Sequence, residues 1–419
     1  MNKLFRELIC LMLERQVRAL RRRYKFTVVA VAGSVGKTST KMAVAKLLEA
    51  AGKRVQYQEG NYNDRVSVPL VFFGLTMPPL RSISAWLKVR RQMSRAISSG
   101  YNYDVVVLEL GTDAPGQLKH FEYIEPDIAV ITAVSPEHME QFGSIEAVAE
   151  EELTVADFSK SILLNSADIS KDFIKFPDYK SYDASGGEAD YQLIERVERT
   201  LGSQSLKIKT RQEVLAVEAA YSGKQGASIV LAAVAVADMI GVPTPAIAAA
   251  VATLKPFAGR MQVLEGVNGI TIIDDTYNSS PLAARAALDV LYYTEATQKI
   301  AILGDMNELG EDSVSEHQKL GGYCRSDQLS LVVTIGAQAR KYLAPAAKAA
   351  GCEVVSFDRA VEAGEYVRGK VEPGGLVLVK GSQGGIFSEE AVKLLLKDPK
   401  DASRLVRQSA EWLAKKPLR

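Results

Sequence analysis

The chain has 419 residues, more than one hydrophobic core usually organises, so two large domains are expected. Its 51 basic and 50 acidic residues leave a net charge of +1, which excludes a chain-wide field for nucleic acid, and no nucleic-acid partner is expected. Cys10, Cys324 and Cys352 are too few and too scattered for a disulfide framework or a zinc knuckle, which points to a reducing, cytoplasmic setting.

Residues 1–24 read as a basic amphipathic helix, with Leu4, Phe5, Leu8, Met12 and Leu20 on one face and Arg15, Arg18 and Arg21 to Arg23 crowded around it. The longest apolar run, Leu8 to Leu13, is too short to span a bilayer or to form a signal-peptide core. Two readings stay open for this helix: peripheral contact with an anionic membrane surface, or packing against the adjoining domain.

Residues 25–258 read as a central α/β domain. The buried-strand run FTVVAVA leads through a glycine-rich turn into a helix from Lys37 to Ala51, closed by Gly52. Further strands are expected at Val105 to Leu110, Ile128 to Val134 and Ile162 to Leu164, giving a mostly parallel sheet with helices on both faces. An alanine-rich helical region, Ser228 to Ile240 and Thr244 to Leu254, precedes a hinge at Lys255 to Gly259. Residues 259–419 then restart the alternation, with strands at Ile270 to Ile273, Lys299 to Leu303, Leu331 to Ile335 and Leu376 to Val379, a Rossmann-like sheet. The charged tail from Asp398 to Arg419 reads as helical, with no role assigned.

The strongest local signal is Gly33-Ser34-Val35-Gly36-Lys37-Thr38-Ser39, set between a strand and a helix, where backbone N–H groups and the helix N-terminus can surround phosphate. Lys37 suits the β- and γ-phosphates and the Thr38 hydroxyl suits Mg²⁺. The general spacing places a glycine at position 31, where this chain has Val31, so the loop is a shortened variant. Glu109, at the carboxyl end of the strand in YDVVVLELG, stands where open α/β sheets hold ligands and where a carboxylate reaches the metal. His138 comes after the strand IAVITAV and is one of only three histidines.

The segments GSVGKTS, GNYNDRVSVP, LELG, SPEHMEQFGS, GRM, IIDDTYNSSP, LGDMNELG and LVKGS occur in one order across some 350 residues. In that order the chain resembles the Mur ligase family, and the pairing of DDTYN with GDMNELG resembles its D-alanyl-D-alanine-adding branch. The resemblance implies a phosphate-loop ATPase domain and then a Rossmann-like domain, and ATP-dependent amide formation through an acyl phosphate. It implies ATP and Mg²⁺ as cofactors, a peptide-bearing muramoyl precursor and D-alanyl-D-alanine as substrates, and a monomer. It assigns Thr38 and Glu109 to a first magnesium and His138 to a second, while Asn61 and Asn63 line the substrate side. Arg260, Asp275 and Asn278 correspond to residues that meet ATP, and Lys380 and Ser382 to a segment near the incoming dipeptide.

The chain departs from the family in ways that leave alternatives open. The phosphate loop begins about thirty residues from Met1, so the uridine-nucleotide-gripping N-terminal domain is expected to be missing. Fourteen residues after His138, where the family carries a carbamylated lysine, this chain has Glu152, expected to replace the carbamate as a catalytic metal-side carboxylate, directly or through water. Helical geometry keeps Glu150, Glu151 and Glu152 from all facing one site. The same chassis serves polyglutamate- and cyanophycin-type ligases, and a nucleotide-binding protein without catalysis is the reading from another class.

Overall fold

The computed structural model describes residues 3–60, 62–211 and 213–416. Its first sheet has nine strands, β1 (Thr27–Ala32), β2 (Val55–Gln56), β3 (Val105–Glu109), β4 (Ile128–Ile131), β5 (Ile162–Asn165), β6 (Lys180–Asp183), β7 (Tyr191–Thr200), β8 (Ser203–Lys209) and β9 (Val214–Ala219). They lie in the order β2-β3-β1-β4-β5-β6-β7-β8-β9, parallel as far as β7 and antiparallel from β7 to β9. Because successive strand residues face opposite sides, β1 sends Val28, Ala30 and Ala32 into one core and Val29 and Val31 into the other. Both faces are therefore covered, as a parallel sheet requires.

Four helices flank the site or its supports: α1 (Lys3–Arg23), α2 (Lys37–Ala50), α3 (Ile83–Ser99) and α4 (Ile145–Leu153). The inner face of α1 packs Ile9, Cys10 and Leu13 against Trp86, Val89 and Met93 of α3, while Val17 and Leu20 join the core beneath the sheet. All three cysteines are buried and unbridged. No described helix is long and apolar enough to cross a membrane.

The second sheet comprises β10 (Gln262–Glu265), β11 (Thr271–Asp275), β12 (Lys299–Gly304), β13 (Leu331–Ile335), β14 (Val354–Phe357) and β15 (Leu376–Lys380), in the order β10-β11-β15-β12-β13-β14. Only the edge strand β10 runs antiparallel. Helix α5 (Pro281–Tyr293) covers one face, its first turn capped by Ser280. The fold is thus α/β throughout, two mostly parallel sheets in sequence.

Several features differ from expectation. The strand after Ile128 stops at Ile131, because Thr132 turns to bond the phosphate-loop strand through its N–H and hydroxyl to the Ala32 carbonyl. The β7–β9 meander and α3 were not anticipated. The tail is only partly helical: a 3₁₀ turn at Pro399–Arg404 and a short helix at Ala410–Lys415 flank a bent stretch in which Arg407, at φ 55°, bonds back to the Tyr277 carbonyl beside the second sheet.

Candidate active site

Sheet order places the chemistry. In the first sheet β1 sits between β3 and β4, so their carboxyl ends bring together the phosphate loop, Glu109 and the segment from Thr132 to His138. In the second, β11, β15 and β12 are neighbours, and their carboxyl ends carry Asp274 to Asn278, Lys380 to Gln383 and Asp305 to Glu308. These two rims face one another across a cleft lined by Lys37, Thr38, Asn63, Glu109, Glu137 and His138 on one side. Arg260, Tyr277, Asn278, Asn307, Glu308 and Gln383 line the other. The rims touch, since the Met139 N–H donates to the Glu308 carbonyl at 3.2 Å.

The phosphate loop is held from below. Gly33 has φ 116°, and a β-carbon there would lie 2.4 Å from Thr132 Oγ1 and 2.9 Å from the Ala133 nitrogen, so only glycine fits. The Ser34 N–H donates to the Ala133 carbonyl, and the Ser34 hydroxyl accepts from the Ser135 N–H at 3.1 Å. Gly36, at φ 88°, ends the loop as the left-handed residue before α2.

The charges around this loop are dense. Lys37 Nζ lies 3.2 Å from Glu137 and 3.7 Å from Glu152. Burial alone would lower the Lys37 pKa, but Glu137, Glu152 and Glu109 together raise it, so the ammonium stays charged. Burial pushes the Glu137 carboxyl well above the usual range, more than Lys37 pulls it down, and Glu152 adds to the rise.

Thr38 Oγ1 donates to Glu109 Oε1 at 3.2 Å. The other carboxylate oxygen, Oε2, is buried 3.2 Å from Lys41 Nζ without a hydrogen bond of its own. A hydroxyl and a partly unsatisfied carboxylate at the mouth of a phosphate loop are the hard oxygen donors that Mg²⁺ takes alongside phosphate and water. Among the described residues no three His, Cys, Asp or Glu side chains form a ready-made metal cage. Mg²⁺ does not require one, being held usually by one or two carboxylates plus substrate phosphates.

His138 sits at φ 48°, its ring nitrogens 3.5 Å from Asp113 and 3.4 Å from Glu308, so it bridges the two rims. The three successive glutamates separate as helical geometry demands. Glu150 is exposed; Glu151 accepts from the N–H groups of Gly116 and Leu118 and from the Thr112 hydroxyl; Glu152 accepts from the Gly33 N–H at 2.6 Å. Glu152 thus enters the phosphate loop, with Oε1 buried and unpartnered by any hydrogen bond beside Lys37.

On the second rim, Arg260 stacks over the Tyr277 ring at 4.2 Å, and Tyr277 lines the same cleft as Thr38. Asp275 accepts from the Met261 N–H at 3.1 Å and pairs with fully buried Lys380 at 2.5 Å. Lys380 also donates to the Asn278 carbonyl at 3.0 Å. A smaller pocket beside Gly36 and Ser39 is lined by Phe257, Arg260, Asp275 and Lys380. Ser382 is buried between the Ser279 carbonyl and the Asn307 N–H, so it is spent on holding the two loops together. Asn63 lines the cleft, while Asn61 lies outside the described residues.

Residues that the sequence does not single out also stand here. Lys41 falls one helical turn after Lys37, a spacing that puts both on one face of α2. Glu137 directly precedes His138. Arg407, in the tail, pairs with Glu389 and donates to the carbonyls of Thr276 at 2.6 Å and Tyr277 at 3.0 Å. No local pattern in the sequence points to it. His317, in contrast, is an internal strut: its ring accepts from the Met306 N–H and bonds the Ser313 carbonyl, and burial lowers its pKa.

Comparison with known proteins agrees with this arrangement. Residues 31–237 match the model of the Mur ligase middle domain, and residues 259–383 that of the Mur ligase, glutamate ligase domain. The UDP-N-acetylmuramoyl-tripeptide–D-alanyl-D-alanine ligase of Bacillus subtilis is 28% identical over 379 residues, 89% of this chain and 76% of that one. Its counterpart in Mycobacterium leprae is 29% identical over 395 residues, covering 85% and 71%. The crystal structure of the MurF ligase from Thermotoga maritima in complex with ADP superposes with a TM-score of 0.75 at 23% identity, over 94% of this chain and 84% of that one.

Proposed function

The chain belongs to the Mur ligase family, and we propose that it joins D-alanyl-D-alanine to the terminal carboxylate of a UDP-linked muramoyl tripeptide at the expense of ATP. The observation that carries the reading is the meeting of Lys37, Thr38, Glu109 and His138 with Arg260, Tyr277 and Asn278 in one cleft between two sheets. A carboxylate oxygen attacks the γ-phosphorus and ADP leaves. The amine of the dipeptide then attacks the acyl carbon, phosphate departs with the former carboxylate oxygen, and one proton is released.

Neither step needs an enzyme nucleophile; both need anions held together in line. Lys37 and the N–H groups of Val35 to Ser39 offset phosphate charge, and Thr38 and Glu109 would hold Mg²⁺, which would supply a charge clamp and Lewis acidity. Arg260, stacked on Tyr277, faces the nucleotide, and the Asp275–Lys380 pair fixes the loop from which Asn278 reaches the cleft. His138 and Asn63 both line the cleft; on this reading His138 serves the reacting carboxylate and γ-phosphate, and Asn63 the peptide. Glu152 tethers the loop backbone and Lys37, the place where the family carries its carbamate. The setting is the cytoplasm, with the chain a monomer that touches a membrane peripherally through residues 1–23.

Incubation with ATP, Mg²⁺, D-alanyl-D-alanine and the nucleotide tripeptide, with the product read by mass, tests the reading. A product heavier by the dipeptide less one water is expected. Phosphate release stimulated instead by glutamate or another amine in a parallel panel would replace the substrate assignment.

A further inference from the structure

The outer faces of α1 and α3 remain without an intramolecular role. The two helices pack side by side with their amino-terminal ends together: Ile9 and Leu13 meet Trp86 and Val89, and farther along the Tyr24 hydroxyl donates to the Ile97 carbonyl. Their buried stripes satisfy the core, yet large apolar side chains also point outward at the same end. Leu8 (57% exposed) and Leu11 (42%) come from α1, and Ile83 (65%) and Leu87 (48%) come from α3, with Leu80 (45%) just before it. Exposed apolar residues singly are unremarkable, but four on adjoining helices with a fifth just before α3 form a patch that calls for a partner.

The charge beside that patch has one sign. On α1 the exposed face continues through Arg15 and Arg22, at the helical spacing of Leu8 and Leu11. On α3 the exposed residues include Lys88, Arg90, Arg91 and Arg95. Among the described residues none of these six enters an ion pair within the chain. No acidic residue occurs between Asp64 and Asp104, and the two glutamates of α1, Glu7 and Glu14, are both taken up by Arg65. Since the whole chain carries only +1, this is a local concentration of positive charge.

From this juxtaposition we infer that α1 and α3 together form a docking surface for an anionic lipid bilayer, the leucines and isoleucine entering the headgroup region and the arginines and Lys88 meeting lipid phosphates. An amphipathic helix with basic residues on the polar flank binds membranes by that combination of apolar burial and charge attraction. A nucleic acid offers nothing to the apolar patch, and a second copy of the chain would oppose its own arginines. The surface is wider than residues 1–23, because α3 contributes half of it. Vesicle binding is read without turnover, so it stands or falls separately from the ligation reading.

Flotation of the full chain with phosphatidylcholine vesicles, and with vesicles containing phosphatidylglycerol, provides the test. Recovery is expected with the anionic vesicles only, falling as salt rises. Arg91→Gln with Arg95→Gln should weaken partitioning about fivefold per charge, and Leu8→Glu with Leu87→Glu about tenfold or more. All four sites are exposed, so melting and turnover in solution should match the parent. Equal recovery with and without vesicles overturns the inference, as does binding indifferent to both pairs of substitutions. A dimer on size exclusion that Leu8→Glu with Leu87→Glu dissolves also overturns it, by making the face an interface between copies.

Discussion

Arg407 offers the sharpest test of how the second rim is held. Its side chain is 6% exposed and its partner Glu389 is fully buried, joined by two contacts of 2.9 and 2.6 Å. The same guanidinium holds the carbonyls of Thr276 and Tyr277, the loop that carries Tyr277 and Asn278 into the cleft. Replacing Arg407 by Ala leaves Glu389 buried with only Lys416, 2.9 Å away, to offset it. Breaking a buried pair from one side costs about 3–5 kcal/mol, and the remaining lysine puts the expected loss near the lower end, about 3 kcal/mol. Urea unfolding monitored by tryptophan fluorescence reads that loss. The KM for ATP should rise about tenfold, since a small displacement of a positioned loop weakens in-line alignment. Adding Glu389→Gln should recover much of the stability by removing the stranded charge, but not the KM, because the two carbonyls still lack their donor. If Arg407→Ala unfolds within about 0.5 kcal/mol of the parent and leaves KM for ATP unchanged, the tail is ornamental to the site and the reasoning fails.

Three further substitutions probe the first rim and the loop beside Arg407. Lys37→Ala should lower acceptor-dependent phosphate release by about a thousandfold or more, the scale of losing a charged transition-state donor; a loss below about tenfold would remove Lys37 from the chemistry. Glu152→Ala deletes the acceptor of the Gly33 N–H and a carboxylate beside Lys37, so turnover should fall by about tenfold to a hundredfold, as for a charged hydrogen bond; unchanged turnover would end the proposal that Glu152 serves the site. Asp274 is fully buried, and burial raises its pKa from 3.8 to about 6 against the bonds from Thr276. The folded chain therefore holds that proton more tightly than the unfolded chain, so this group's stabilisation is present below 3.8 and is lost as pH rises through about 6. Between about pH 5 and pH 8 it amounts to about 1.4 kcal/mol in favour of the lower pH. Asp274→Asn should flatten the urea-unfolding stability across that interval by this amount; an unaltered slope would refute the assignment.

The features legible in the sequence are the local ones. The run from Thr27 to Ala32, the glycines at 33 and 36 and the polar start of α2 declare a strand, a tight turn and a helix within two dozen residues, so the phosphate loop and its place were legible. Glu109 was legible as a strand-end residue, because a hydrophobic run ending in a polar side chain marks the sheet's ligand edge, whereas His138, seven residues beyond the end of β4, was legible only through the ordered motifs. The separation of Glu151 from Glu152 was foreseeable only as a geometric constraint: the turn of about 100° per residue said that they diverge, and only tertiary packing decides which one meets Gly33. The β7–β9 meander stayed hidden because β7 exposes the middle of its length, which breaks the alternation that a half-buried strand shows. Arg407 was invisible for a different reason, since its partners lie 18 and about 130 residues away.

The packing of carboxylates around Lys37 also bears on how a nucleotide enters. With Glu109, Glu137 and Glu152 crowding the ammonium groups of Lys37 and Lys41, the pull of Lys37 is already partly spent. A triphosphate adds several negative charges to that site, and two unit charges about 4 Å apart still interact by about 4 kcal/mol at an effective dielectric of about 20. Lys37 can turn from Glu137 toward phosphate only if the carboxylates left behind are neutralised. Glu137 is suited to that exchange, because burial and Glu152 already favour its protonated form. Glu109 differs: paired with Lys41 and Thr38, it presents its oxygens at the loop's mouth, where on the proposed reading a divalent cation arriving with the phosphates would convert repulsion into coordination. On the proposed reading the two glutamates would divide the work, one favouring a proton and the other a metal ion, because one is buried beside another carboxyl and the other beside an ammonium and a hydroxyl.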